Sequence, residues 1–388
     1  MERLDVAVIG GGIGGLTAGI AMKRLGYGVR VYERAPEILP IGGGISLWPN
    51  GVKLLDWLGI GHLLEPHAGS MSTMRYVRSD GLALATLPLD RLTEACGRRP
   101  LPVTRTDLQA SLIDAFGRES LHLGAECIGV ETGPDDRPVA RFADGGAVTG
   151  DVLIGADGIR SVVRDYVGDG AGSLRYAGNV NWNGLVTSDE RLDADDCFTI
   201  YVGEARRVGT MPMGDGRLYY FFDAPLPAGA MTEREHWRSE LQVLFGHWTA
   251  PVRALLDRVD PQTMVRVDVC DLDAPERTVR GRVALLGDAA HAATPTLGQG
   301  AAQAMEDCEI LSRCLKTTSI GVEDALERYE RDRRQRTHAI LEASRARTDL
   351  MMGADPAATE AWYEELRTRR DGRFVDQLIE TAVNGPLG

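Results

Sequence analysis

Apolar and polar positions follow two different periods along this chain, and the change of period divides it. Val6 to Ile9 is a short β-branched run that reads as a buried strand, Gly10 to Gly15 reads as a turn, and Leu16 to Leu25 has helical spacing up to Gly26. Gly28 to Glu33 reads as a second strand, which predicts a βαβ unit. A glycine cluster, Gly42 to Gly44, precedes Ile45 to Trp48, and Asn50 is placed to cap a helix through Leu58. Thr106 to Ala115 is a further helix, and Asp151 to Ala156 a further strand ending in a turn. From about 172 to 270 the period becomes two, as in Val180 to Val186, Phe198 to Val202 and Arg217 to Phe222, which predicts antiparallel sheet. Arg282 to Gly287 then restores the buried-strand signature, and Gln299 to Leu315 reads as a helix entered from a glycine-rich turn. Residues 324–350 and 358–382 are charged and helical in period, with their charges expected to face water. The organisation expected is a discontinuous parallel-sheet domain (1–72, 101–171 and 280–350), an inserted antiparallel-sheet domain (73–100 and 172–279) and a C-terminal helical segment (351–388).

Composition narrows the function. A chain of 388 residues exceeds what one core usually absorbs, so two intertwined domains with room for a large cofactor are expected. The formal net charge of -13 argues against nucleic acid or anionic lipid as a partner. Lysine occurs only at Lys23, Lys53 and Lys316, which leaves few candidates for Schiff-base or phosphate-loop chemistry. The six cysteines are scattered, with no CxxC and no zinc spacing, so no metal is expected and reduced thiols in a cytoplasmic protein are. The opening residues lack the basic and apolar regions of a secretory leader, and no apolar run approaches the roughly 20 residues needed to cross a bilayer.

Three motifs carry chemistry. In Gly10-x-Gly12-x-x-Gly15 the glycines permit a tight turn and close approach of backbone to a pyrophosphate at a helix N-terminus. Glu33, at the end of the next strand, stands where a carboxylate accepts hydrogen bonds from an adenosine ribose. These features alone leave the dinucleotide open between NAD and FAD. The second motif runs from Asp151 through Asp157-Gly158 to Ser161. The third runs from Gly287-Asp288 through His291 and Pro295 to Gly298-Gln299-Gly300. Each sets a carboxylate after a buried strand, beside a turn and a helix whose N–H groups could face a ribityl chain, a phosphate or a flavin ring. A nicotinamide dehydrogenase has no use for such anchors so far downstream, so the motifs in this order point to FAD.

With these fingerprints at that spacing over nearly its whole length, the sequence resembles the class A flavoprotein aromatic hydroxylases, and within them the urate-hydroxylating branch. Gly44 to Lys53, Tyr176 to Val186, Tyr201 to Val208, Tyr219 to Gly229 and Gly385 to Gly388 carry the closer likeness. The resemblance implies a Rossmann-type, glutathione-reductase-like α/β domain binding FAD non-covalently. It places Gly14, Glu33, Arg34, Ser46, Arg105, the backbone of Cys127, Asp288, and Gly298, Gln299, Gly300, Ala301 and Ala302 at the cofactor, with Gly10, Gly12, Gly15 and Asp157 from the fingerprints. Asn181, Arg207, Tyr219, Tyr220 and Phe221 match the substrate pocket, and Arg207 and Tyr219 the catalytic positions. Many family members have Asn where this chain has Ala302, so backbone N–H groups are expected to meet the flavin there.

The activity implied is hydroxylation of urate to 5-hydroxyisourate, or of a related small aromatic, with NADH and O2 through a flavin C4a-hydroperoxide. The single GxGxxG leaves the nicotinamide without a Rossmann domain of its own, and it is expected over the cleft near Asp157 and Arg160. Read from the residues alone, Arg207 is ambiguous, because Arg206 beside it points to the opposite strand face and either could be a solubilising charge. His291 invites reading as a base but is expected to be a hydrogen-bonded structural group. A sister hydroxylase acting on a salicylate-like phenolic carboxylate, or a non-catalytic FAD-fold binding protein, remains as an alternative.

Overall fold

The computed structural model describes residues 3–38, 43–168, 173–192, 196–230, 232–316, 321–368 and 373–388. Gly42 of the glycine cluster and residues 369–372 lie outside them. Strand Asp5–Ile9, helix Ile13–Arg24 and strand Gly28–Glu33 form the expected βαβ unit. Its two strands pair in parallel, Val6 opposite Val29 and Val8 opposite Val31. Val152–Gly155 pairs on the other side of Asp5–Ile9, Val283–Leu285 lies beyond it, and Leu121–Leu123 extends the far edge, all in parallel. Such strands are covered on both faces, which is why they read as continuous apolar runs. Val6, Val8 and Val31 pack with Leu16, Leu112 and Met305, while Ala7, Ile9 and Leu153 pack against the other layer with Phe142 and Val163. The fold is the Rossmann-type α/β arrangement expected, with a second sheet attached.

That second sheet has seven strands in the order Val265–Leu272, Leu174–Thr187, Arg217–Pro225, Arg206–Pro212, Cys197–Gly203, Thr73–Arg78 and Ala83–Pro88. All neighbours are antiparallel except Cys197–Gly203 with Thr73–Arg78. Successive side chains point to opposite faces. Trp182, Tyr201, Val208, Leu218, Tyr220 and Phe222 therefore form one core with Phe245 and Trp248 of the helical cover. Asn181, Arg207, Tyr219 and Phe221 face the other way, into a cavity. The same alternation settles the arginine pair, since Arg206 turns outward to Glu204 at 2.7 Å and Arg207 inward.

Two expectations are corrected. Asn50 does not cap its helix, which begins at Pro49 with Trp48 as the flanking residue, because proline's fixed φ suits the first helical position. Asn50 is buried instead, its amide donating to Gln299 and Glu306 at 2.9 Å each. The charges of helix Val322–Met351 do not all face water either. Arg333 is 5% exposed and donates to Glu306, Asp307 and Gln303, and Arg345 forks onto the fully buried Asp271.

Candidate active site

A cavity of about 1650 Å³ lies between the parallel sheet and the antiparallel one. At its parallel-sheet end the glycine turn does two jobs. Gly10 has φ +106°, and a Cβ on Gly15 would fall 1.9 Å from the Gly10 carbonyl oxygen, so these two glycines close the turn against its own backbone. Gly12 differs, since a Cβ there would meet no atom within 4 Å, and its backbone forms part of the cavity wall. Gly14 also lines the wall, with Leu286 and Ala304 behind it. Arg34 and Arg105 are exposed in the same wall and make no side-chain hydrogen bond or ion pair to the described protein. Asp288, the first residue of helix Asp288–His291 after Gly287 at φ +57°, likewise presents a carboxylate with no partner among the described residues. Two unpaired guanidiniums, an unpaired carboxylate and a wall of bare glycine backbone suit a ligand with a diphosphate and a hydroxylated chain, as FAD has.

Ser46, Gly298, Gln299, Gly300 and Ala301 complete this end, where helix Gly300–Leu315 begins. Gly298 has φ +63°, and a Cβ there would press on Ser46 Oγ at 2.8 Å and Trp48 Nε1 at 2.9 Å. Ala302, by contrast, is buried behind the wall and could contribute only its backbone. The helix start is held from behind by a buried polar network that the sequence did not announce. Gln299 Oε1 accepts from Asn50, and Glu306 accepts from Asn50, Gln303, Arg333 and Arg336. Asp307 accepts from the Gly287 N–H at 2.8 Å and from Arg333 at 2.6 Å. His291 lies 2.7 Å from the same carboxylate, outside the cavity wall, which places it as a structural group rather than a base facing the cavity.

Other expected cofactor residues are placed differently. The Glu33 carboxylate accepts from the N–H groups of Gly11 at 2.7 Å and Ala35 at 2.9 Å, so it shapes the turn and does not itself line the cavity. Asp157 does line it, but its carboxylate accepts from Ser161 and from the N–H groups of Val162 and Val163 at the start of helix Val162–Val167. Burial raises the Asp157 carboxyl above its ordinary value against the opposing pull of those bonds. Arg160 beside it is exposed to the cavity, without a side-chain partner among the described residues. Cys127 stands outside the wall, with its thiol directed to the Gly129 carbonyl.

At the antiparallel-sheet end, Arg207 and Asn181 converge on Asp223, a fully buried carboxylate missed in the sequence. Arg207 Nε–H donates to Asp223 Oδ2, and Asn181 Nδ2 donates to Oδ1 at 2.8 Å. The Arg207 guanidinium lies 4.9 Å from the Phe221 ring centre, and one Nη meets Met351 Sδ at 3.4 Å. Tyr219 packs its ring over Gly43 and Gly44, where any Cβ would collide with it. Its hydroxyl has no partner among the described residues, and desolvation, reinforced by Asp223, raises its pKa well above the ordinary phenol value. It therefore stays protonated at neutral pH, as a hydrogen-bond donor rather than an acid. Tyr220 is corrected: strand alternation turns its fully buried ring to the opposite face, against Phe222, so that side chain cannot touch a ligand in the cavity.

A Rossmann-type sheet, a glycine-walled groove and a buried aromatic end define a flavoprotein, and the chain belongs to the FAD-binding domain family, which it matches over residues 3–344. Two curated relatives are more specific. The FAD-dependent urate hydroxylase of Klebsiella pneumoniae subsp. pneumoniae is 43% identical over 99% of this chain and 100% of its own length. That of Mycolicibacterium vanbaalenii is 40% identical over 99% and 98%. The crystal structure of Klebsiella pneumoniae HpxO complexed with FAD and uric acid matches with a TM-score of 0.95 at 41% identity, covering 99% of this chain and 98% of that one.

Proposed function

We propose that this chain is an FAD-dependent monooxygenase that hydroxylates urate to 5-hydroxyisourate, with NADH and O2 as co-substrates. The observation that carries the reading is the Arg207 edge and the unpartnered Tyr219 hydroxyl facing one cavity with the empty-handed Asp288 and Gly12. Full-length relatives that hydroxylate urate support it, as does the match to a protein crystallised with FAD and uric acid. Bound FAD would supply the electron transfer and oxygen activation that amino-acid side chains cannot.

The chain's own residues do the rest. Gly12 and Gly14 would admit the diphosphate, Arg34 and Arg105 would offset its charge, Asp288 would receive a ribityl hydroxyl, and the N–H groups at the start of helix Gly300–Leu315 would be available to the flavin. Arg207 and Asn181 orient the substrate plane, since a guanidinium offers paired donors to adjacent oxygen and nitrogen acceptors. Tyr219, protonated throughout the working range, donates to a substrate oxygen and steadies charge developing on it. Phe198, Phe221 and Met211 wall the site against water, which would divert oxygen to peroxide. Reduced nicotinamide approaches from the Arg160 side, because the Asp157 carboxylate is engaged in its helix cap. None of the six cysteines is in a disulfide, which supports a cytoplasmic setting, and among the described residues no helix is long and apolar enough to cross a membrane.

The test is purified protein with FAD, NADH and urate in air, with NADH consumption, urate loss, hydroxyisourate and hydrogen peroxide measured together. Urate-dependent NADH oxidation with product matching it supports the reading. NADH oxidation that yields only peroxide, or none at all, overturns it.

A further inference from the structure

We propose that Asp223 is a positioning and specificity-determining residue: it fixes the donor edge of Arg207 and, by neutralising that guanidinium, makes the site select a planar oxygen–nitrogen edge rather than negative charge. The inference rests on the urate reading for its natural ligand. Asp223 sits on the central strand of three, directly opposite Arg207 on one neighbour and Asn181 on the other. Oδ2 accepts from Arg207 Nε and Oδ1 from Asn181 Nδ2 at 2.8 Å, with a longer contact of 3.5 Å from Asn179 Nδ2 to the same Oδ1, and no part of the residue reaches solvent.

Each bond removes a freedom. With Nε directed at Asp223 and one Nη at Met351, the donors left to Arg207 are on its Nη side. Asn181 is held at both atoms, because its Oδ1 accepts from Asn183 at 2.7 Å while its Nδ2 faces Asp223. The amide therefore cannot flip to suit another ligand. The charge consequence is separate from the geometric one. An unpaired arginine buried here would attract any small anion, and a phenolic carboxylate would pair with it as readily as urate would. With Asp223 ionised the pair is neutral, so a carboxylate gains little from its charge, whereas a heterocycle with adjacent acceptors still meets the donor edge.

The experiment compares urate, salicylate and xanthine, a neutral purine dione below neutral pH, as ligands of the FAD-loaded protein, titrated by the flavin absorbance change. In the wild type, xanthine should bind within about tenfold of urate and salicylate at least tenfold more weakly than either, a span of about one charge-assisted bond. Asp223→Asn should raise salicylate affinity about tenfold or more relative to urate and lower urate kcat more than it raises KM. The double variant Asp223→Asn/Arg207→Gln should lose that salicylate gain, because the gain needs the unpaired guanidinium. A merely structural role would weaken every ligand and FAD together. The inference is overturned if the salicylate-to-urate ratio is unchanged in a FAD-retaining Asp223→Asn protein, or if the double variant keeps the gain. If Asp223→Asn does not fold, the wild-type ranking decides, and salicylate binding as tightly as urate overturns the inference. Failure of the urate reading would instead show in wild-type turnover, which these binding ratios do not use.

Discussion

Replacing Asp307 with asparagine exchanges one oxygen for an NH2 group, yet three donors depend on that carboxylate. Oδ2 receives the Gly287 N–H and His291, and Oδ1 receives Arg333 Nε. An asparagine has a single acceptor atom, so either Arg333 or the Gly287 and His291 pair would face another donor. Asp307 is fully buried and Arg333 is 5% exposed, so water cannot relieve the clash. Breaking a buried pair costs about 3–5 kcal/mol, and the lower end applies because Arg333 keeps Glu306 at 2.9 Å and the Gln303 side chain at 2.8 Å. Over 388 residues, at about 2.1 cal/mol/K of unfolding entropy per residue, about 3 kcal/mol corresponds to a fall in Tm of roughly 4 °C. The assay is thermal unfolding of the FAD-loaded protein, followed by flavin fluorescence and circular dichroism, with FAD affinity measured separately. Affinity should fall too, since the Gly287 N–H anchors the turn that carries Asp288.

The pH dependence gives this prediction a second limb. Burial alone would raise the Asp307 carboxyl, but His291 and Arg333 beside it and the bonds from His291 and Gly287 bring it below its ordinary value. A carboxylate with a depressed folded-state pKa contributes stability above its unfolded pKa, near 4, and loses that contribution as pH falls through the folded value. The gap between wild type and Asp307→Asn should therefore be full at neutral pH and narrow below about pH 4. A Tm within about 1 °C of wild type at neutral pH would refute the reasoning, as would a gap that widens in acid.

Arg207→Lys keeps the charge beside Asp223 but loses the planar donor edge and much of the stacking on Phe221; urate kcat/KM should fall by about 2–3 kcal/mol, roughly 30- to 150-fold, with FAD retention unchanged. Steady-state rates and flavin content check it. Asp288→Ala should release FAD more readily, by roughly tenfold in Kd, while urate KM in saturating FAD stays within about twofold. Gly12→Ala should fold normally but lose FAD affinity, because its methyl enters space left open in the cavity wall. Gly15→Ala should instead fail to accumulate as folded protein, its Cβ lying 1.9 Å from the Gly10 carbonyl oxygen; equal behaviour of the two variants would contradict the division of labour in that turn.

Much of the scaffold could be read from sequence because its signals are local. A β-branched run, a glycine turn and a helix within 33 residues identify the first βαβ unit, and Gly287-Asp288 after Val283–Leu285 repeats the logic. Period-two alternation in Arg217–Pro225 holds the signal that separates Tyr219 and Phe221 from Tyr220, but family likeness placed all three in the pocket and the structure was needed to part them. Asp223 was the next residue on the pocket face, two beyond Phe221. Recognising it required the register with Arg207 and Asn181, which no single segment contains. Arg333 was hidden differently. On a helix with so many charges, nothing local distinguishes the one stripe that turns inward from those that face water.

That helix, Val322–Met351, is 30 residues long and touches the protein at widely spaced stations. Arg333 grips Glu306 and Asp307 behind the cofactor end, Arg345 grips Asp271, and Thr348 holds Thr294 and Thr296 ahead of Gly298. Met351 reaches Arg207 at the substrate end. At about 1.5 Å per residue, the 18 residues from Arg333 to Met351 span about 27 Å, so the helix acts as a ruler between the two ends of the reaction chamber. A ruler of this kind has a fixed phase as well as a length. Removing one residue between those stations would shorten it by about 1.5 Å and turn it by about 100°, so that whichever end stayed docked, the other would present the wrong face.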